Sequence, residues 1–294
     1  MKVLVAGANG MLGHDLIPAL RLAGHLAVSS GVLASDDPDF VSMDITDLAQ
    51  VREVFAAVRP DALINCAAFT NVDGAESDVD GAYRINALGS WNLALACQEA
   101  DIPLMYVSTD YVFDGARGSA YDEYDTPNPQ GVYGRSKRAG EIHVERLCPR
   151  HYIVRTSWLY GHGGKNFVET IIKAASERPE LRVVNDQWGT PTPTVELART
   201  MCRLLETGRY GTYHASGEGA CTWFDFAAEI VAQAGLQTPV LPQSTQESAR
   251  PAPRPAYSVM DNLALRLAGL PSHLPWQEAL KHYMSARPAP SALR

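Results

Sequence analysis

The sequence lacks any Cys-x-x-Cys pair and any His-Glu-x-x-His pattern, and its five cysteines (Cys66, Cys97, Cys148, Cys202 and Cys221) are odd in number and far apart. Such spacing offers neither a disulfide framework nor a zinc-ligand set and suits a reducing compartment. The cysteines read as core thiols, and the eight histidines as scattered structural or surface groups. No apolar run approaches membrane-spanning length, and residues 1–6 lead into a glycine motif too early for a secretory signal, so a cytoplasmic protein is expected. Long Lys/Arg runs are missing too. With a formal net charge of -8, this argues against a dedicated binder of nucleic acid or anionic membrane but leaves room for a local basic pocket around a phosphorylated ligand.

What is present is ample apolar material, 46% of 294 residues, enough for one elaborated domain or a domain with an appended lobe. Short apolar or β-branched runs at residues 2–6, 26–30, 62–67, 104–108 and 152–156 read as buried parallel strands. Helical patterns alternate with them at 47–58 (after the cap candidate Thr46), 86–100 and 132–147, the last two ending before Pro103 and Pro149. This alternation predicts an α/β fold, a Rossmann-type doubly wound parallel sheet with a smaller C-terminal substrate-binding lobe. After about Gly161 the rhythm breaks into segments punctuated by Pro, Gly and Trp. We therefore expect a dinucleotide-binding domain over 1–160, to which 192–216 returns through a helix (195–205) and a strand (211–215). Residues 161–191 and 217–294 would form the substrate lobe, with 287–294 a disordered end.

Gly7-Ala8-Asn9-Gly10-Met11-Leu12-Gly13 follows the first strand and opens the first helix. Glycines three apart at that point let the chain turn tightly and let a pyrophosphate approach backbone N–H groups, so Gly7, Gly10, Met11, Leu12 and Gly13 are cofactor candidates. The second strand ends in Val28-Ser29-Ser30-Gly31, without the acid that selects NAD by binding the adenosine ribose. Neither serine repels a 2′-phosphate, so NADPH is expected to be accepted and the choice between NADPH and NADH stays open. Asp36 and Asp37 read as solvated loop carboxylates.

Val107-Ser108-Thr109-Asp110 emerges from a buried strand at the carboxyl edge of the sheet, where ligands of such folds bind. Farther on, Tyr133 and Lys137 stand four apart and share one face of a helix. A nearby ammonium is expected to lower the Tyr133 pKa from about 10 toward neutrality, which makes a phenol a useful general acid. A lone Tyr-x-x-x-Lys pair is common by chance, but the order glycine trio, Ser-Thr, Tyr-x-x-x-Lys resembles the short-chain dehydrogenase/reductase superfamily.

Over nearly its whole length the sequence more closely resembles the dTDP-4-dehydrorhamnose reductase family. The matching stretches are residues 65–76 (NCAAFTNVDGAE), 108–115 (STDYVFDG), 132–141 (VYGRSKRAGE), 155–161 (RTSWLYG), 185–192 (NDQWGTPT) and 254–258 (RPAYS). The resemblance implies reduction, by NADPH or NADH, of the C4 keto group of dTDP-4-dehydro-L-rhamnose. It makes Tyr133 the proton donor, has Lys137 grip the nicotinamide ribose, and has Thr109 hydrogen-bond the reacting oxygen. It places Asp44 and Ile45 beside the adenine, Ala67, Ala68 and Phe69 beside the ribose and nicotinamide, and Val107 along the cofactor. Phe69 stands where the family often has His. Asp110 and Trp158 would line the sugar site, and Arg250 and Arg254, which sit among prolines, would suit a diphosphate. A homodimer and a magnesium ion are further family features, for which no ligand cluster is legible here.

Several of these residues carry a second reading. Asn86 either holds a structural water or ends a loop at a helix start. Trp158 could be core, and Arg250 and Arg254 could be surface charges. Two rival functions also stand beside the reductase: another nucleotide-sugar reductase or epimerase, and a non-catalytic regulatory subunit like that of methionine adenosyltransferase. Retention of Thr109, Tyr133 and Lys137 weighs against the second.

Overall fold

The computed structural model describes residues 1–287. Its centre is a parallel sheet whose first six strands in the chain are β1 (Lys2–Ala6), β2 (Leu26–Gly31), β3 (Phe40–Ser42), β4 (Ala62–Asn65), β5 (Leu104–Thr109) and β6 (His151–Thr156). Across the sheet the order is β3-β2-β1-β4-β5-β6, with Gly211–His214 added in parallel beyond β6. The strand order reverses between β1 and β4, and a doubly wound sheet opens a ligand crevice at such a point. β4 ends at Asn65, two residues short of the expected Ala67: the Cys66 N–H still reaches the Ala6 carbonyl at 2.9 Å, but the Ala67 N–H turns to Asn65 Oδ1 at 3.0 Å, and both residues line that crevice.

Helices cover both faces. On one side α1 (Met11–Leu22) packs through Leu12, Leu16 and Leu20 against Leu197, Met201 and Leu204 of Thr194–Thr207. On the other, α2 (Leu48–Val58), α5 (Ser90–Ala100) and α6 (Val132–Leu147) bury Val51, Phe55, Leu93 and Val144. These two-sided contacts explain why β1 is apolar at consecutive positions.

The cap of α2 is Asp47, not Thr46: the Asp47 carboxylate accepts from the N–H groups of Ala49 and Gln50, while the Thr46 hydroxyl turns back to Asp44. Nor does a helix begin at Asn86. The chain is already helical in α3 (Val72–Ser77) and α4 (Val79–Tyr83) and passes through a π-helical turn at Arg84–Gly89 into α5. Asn86 lies inside that turn, fully buried. π-helical turns in continuous helix are frequent at functional sites.

A separate apolar cluster, built around Tyr160, Ile171, Phe226, Ile230 and Trp276, lies in the remaining segments. Three two-stranded ladders stitch them together: Leu159–Tyr160 with Thr192–Pro193, Leu181–Val184 with Val240–Gln243, and Trp188–Gly189 with Cys221–Thr222. Arg287, expected at the head of a disordered end, pairs with Glu169 at 2.8 Å; residues 288–294 lie outside the described residues. Among the described residues no helix is long and apolar enough to cross a membrane.

Candidate active site

A cleft of about 1870 Å³ runs from the glycine motif, past the carboxyl ends of β1, β4, β5 and β6, to the second apolar cluster. At its first end Gly7 has φ +77, and a Cβ there would stand 2.5 Å from the Ala67 nitrogen, so only glycine fits. Gly13 likewise lets α1 close on Ala8, whose carbonyl oxygen a Cβ would meet at 2.2 Å. The N-cap of α1 is Gly10, which offers no side-chain cap. The first-turn N–H groups of α1 therefore suit a phosphate, and this end of the cleft fits a dinucleotide.

Of the residues singled out in the sequence, Gly7, Gly10, Met11, Leu12, Gly13, Asp44, Ile45, Ala67, Ala68, Val107, Thr109, Asp110, Tyr133, Lys137, Trp158 and Arg254 all line this cleft. Phe69 is not part of the lining. Its backbone N–H and C=O are held by the Asn86 side chain at 2.8 and 3.1 Å, and Asn86 also donates to Ser136 Oγ at 2.9 Å. Asn86 thus ties the segment after β4 to α6. Cys66, unlike the four buried cysteines, faces the cleft.

Tyr133 and Lys137 are placed by how α6 is fixed at both ends. Its first N–H, on Val132, donates to Glu76 of α3 at 2.8 Å, and Gly134 approaches the Tyr111 carbonyl so closely that a Cβ would lie 2.2 Å from it. One turn beyond Lys137, the buried Glu141 receives Arg155 of β6 in a two-pronged pair, both contacts 2.9 Å. Bidentate pairing of this kind fixes orientation as well as charge.

The expected tuning of Tyr133 by Lys137 is absent from this geometry. Burial pushes the Tyr133 pKa up to about 12; the Thr109 hydroxyl opposes this and the Asp110 charge adds to it. Lys137 points elsewhere, donating to the Val107 carbonyl at 2.7 Å with its Nζ 4.1 Å from the centre of the Tyr106 ring. Burial lowers its own pKa to about 7, with Glu141 and then Cys66 pulling the other way. Burial thus favours the neutral form of both groups, the phenol of Tyr133 and the amine of Lys137.

Asp37 is not a solvated loop carboxylate. It accepts from Ser29 Oγ and pairs with Arg21 at 2.8 Å, and these bonds, Ser29 foremost, lower its pKa. Ser30 donates to the Val5 carbonyl. The end of β2 therefore offers the cleft Gly31 and Val32, with no acid.

At the far end, Trp158 has a left-handed backbone (φ 46) and lines the cleft together with Trp223, which sequence reading did not single out. Arg254 pairs with Asp73 at 3.0 Å, and Arg250 shares that carboxylate at 3.3 Å. Arg84, Lys165, Arg178 and Arg182 join them and Lys137 around the cleft, against only Asp44 and Asp110 among the carboxylates. The chain is acidic overall, yet this cleft is cationic, as polyphosphate ligands require. Among the described residues no group of three or more His, Cys, Asp or Glu could hold a metal ion.

The family model described as RmlD substrate binding domain matches residues 1–287. The spore coat polysaccharide biosynthesis protein SpsK of Bacillus subtilis is 42% identical over 287 residues, 97% of this chain and 98% of that protein. The crystal structure of a dTDP-4-dehydrorhamnose reductase from Clostridium acetobutylicum superposes with a TM-score of 0.91 at 43% identity, covering 97% of this chain and 99% of that one. The dTDP-4-dehydrorhamnose reductase of Bacillus anthracis, solved in complex with NADP, gives a TM-score of 0.88 at 42% identity, covering 98% of this chain and all of that one.

Proposed function

The chain belongs to the RmlD substrate binding domain family, and from that premise we propose that it is an NAD(P)H-dependent oxidoreductase reducing the C4 keto group of dTDP-4-dehydro-L-rhamnose to give dTDP-L-rhamnose. The observation that carries the proposal is the meeting of Thr109, Tyr133 and Lys137 in one cationic cleft that fits a dinucleotide at one end.

The bound reduced nicotinamide supplies the hydride. Gly7, Gly10 and the first turn of α1 would hold the cofactor pyrophosphate, and Asp44 and Ile45, which line the same end of the cleft, would border the adenine. Lys137, which lines the cleft beside Val107, would hold the nicotinamide ribose and, where it carries its proton, would favour negative charge near the reacting centre. Tyr133, protonated in its buried site, donates its proton to the oxygen that becomes the C4 hydroxyl. Thr109 and Asp110 border the reacting centre, Trp158 the sugar, and Arg250 and Arg254 the diphosphate. Exchanging Asp73 for a ligand phosphate keeps both guanidiniums paired.

The test follows nicotinamide absorbance with a panel of 4-keto nucleotide sugars and both cofactors, with product identified by mass and sugar stereochemistry. Turnover of dTDP-4-dehydro-L-rhamnose above the rest of the panel is expected. Oxidation of NADPH by none of them would remove the proposal.

A further inference from the structure

Gln187 is 5% exposed and lines the cleft. The chain is held on either side of it: the Asn185 N–H donates to the Gln243 carbonyl at 3.0 Å, and the Trp188 N–H to the Ala256 carbonyl at 2.8 Å. Its side-chain Nε2 donates to Thr245 Oγ1 at 2.9 Å, and Thr245 Oγ1 in turn donates to Asp186 Oδ1 at 2.6 Å. The Thr245 N–H donates to the same carboxylate, 2.9 Å from Oδ2.

Proton accounting fixes which way the Gln187 amide faces. A carboxylate only accepts, and a hydroxyl has a single proton. With that proton committed to Asp186, Thr245 can meet Gln187 only as an acceptor, so Nε2 faces Thr245 and Oε1 faces away. Oε1 takes no partner among the described residues and stays accessible. The amide therefore offers the cleft an acceptor, Oε1, beside the second proton of Nε2. It cannot exchange the two by flipping, because Oε1 would then meet the Thr245 oxygen with no proton between them.

The walls nearby are apolar: Leu181 and Val183, on the strand that runs into Asn185, line the cleft together with Ile171. A nucleotide sugar whose sugar meets Thr109 and Trp158, and whose diphosphate meets Arg250 and Arg254, has this stretch left for its base. Apolar walls take the faces of a base, and a fixed amide takes its edge. Along one edge thymine and uracil present a ring N–H beside a carbonyl oxygen. At the same two places cytosine presents a bare ring nitrogen beside an amino group, so the polarity is reversed.

We infer that Gln187 selects the nucleotide base: its amide, locked by Thr245 and Asp186, accepts from the ring N–H of thymine or uracil and donates to the carbonyl beside it. Cytosine is rejected, because the locked amide would set donor against donor and acceptor against acceptor. The inference rests on the reading of the ligand as a nucleotide sugar.

The experiment titrates dTDP, UDP and CDP calorimetrically into wild type, Gln187→Leu, Thr245→Val and Thr245→Ser, with the NADPH affinity of each followed by fluorescence. Wild type should bind dTDP and UDP at least about tenfold more tightly than CDP, since a mismatched edge leaves polar groups unpaired. Gln187→Leu should lose most of that discrimination by weakening dTDP and UDP, while NADPH affinity holds. Thr245→Val releases the amide to flip, so it should bind CDP more tightly than wild type does. Thr245→Ser keeps the hydroxyl and should keep the wild-type preference.

Equal binding of CDP and dTDP by wild type overturns the inference. So does an equal loss of all three nucleotides in Gln187→Leu, which would put Gln187 on the shared diphosphate or ribose, and so does a Thr245→Val variant that binds CDP no better than wild type. Should Gln187→Leu fail to fold, the Thr245 pair decides. Failure of wild type to bind any of the three nucleotides removes the nucleotide-sugar reading instead.

Discussion

The indole of Trp158 lies flat against that of Trp223, ring centroids 3.4 Å apart and planes 6° from parallel. On the same indole, Gly189 comes so near that a Cβ would stand 2.4 Å from Cε2. The left-handed backbone of Trp158, a conformation costing on the order of 1–3 kcal/mol for a non-glycine residue, is held by this packing. Trp158→Ala should therefore weaken sugar-nucleotide binding about tenfold or more and leave NADPH affinity nearly intact, as calorimetric titration of both ligands would read. Gly189→Ala should push the indole aside and act in the same direction. Equal loss of both affinities, or a collapse in Tm, would make Trp158 a core residue.

Tyr133→Phe keeps the ring, whose edge-on contact with Tyr111 (centroids 5.6 Å apart, 75°) needs no hydroxyl. The variant should fold and bind both ligands as wild type does. Its kcat should drop by roughly 10²- to 10⁴-fold, the usual contribution of a positioned acid. Single-turnover measurement separates this loss from product release, and near-wild-type chemistry across the pH range would sink the assignment.

Lys137 is 2% exposed, and its folded pKa is about 7 against 10.5 in the unfolded chain. Between those values the unfolded chain holds a proton that the native protein has released, so this group makes stability rise with pH from about 7 to 10.5. Lys137→Met removes the cost of burying the ammonium. In the cofactor-free protein it should be more stable than wild type by on the order of a few kcal/mol below pH 7, the gain fading as pH climbs. Urea melts of both proteins across that range read the difference directly. The same variant should bind NADPH more weakly and lose kcat, so stability and activity should move in opposite directions.

At the end of β2 the cleft meets Gly31 and Val32, while Asp37 is occupied with Ser29 and Arg21. NADPH should thus support a kcat/KM at least equal to that of NADH. Val32→Asp would set a carboxylate at this edge and should shift the ratio toward NADH by about tenfold or more. A wild-type enzyme that strongly prefers NADH would mean that some other group rejects the 2′-phosphate.

The sequence by itself determined the features governed by neighbours in the chain. A strand running into Gly7 and Gly10 can make only a tight, backbone-lined turn, and Tyr133 and Lys137, four apart on a helix, must share a face. Both follow from local geometry, as does the alternation of strand and helix that dictates the doubly wound sheet. Thr46 and Asp47 mark the limit of that reasoning, since both are good caps and only the backbone at Asp47 decides between them. Tertiary structure decided the state of the chemical groups. Whether Lys137 faces Tyr133 or the Val107 carbonyl depends on the cavity between α6 and β5, and the Tyr133 pKa follows burial, which helix spacing does not encode. Asn86 became a clamp because a π-helical turn carried it to Phe69 and Ser136. The Ser258–Asp110 bond and the Trp158–Trp223 stack join residues far apart in the chain, and no periodicity in either partner announces the other.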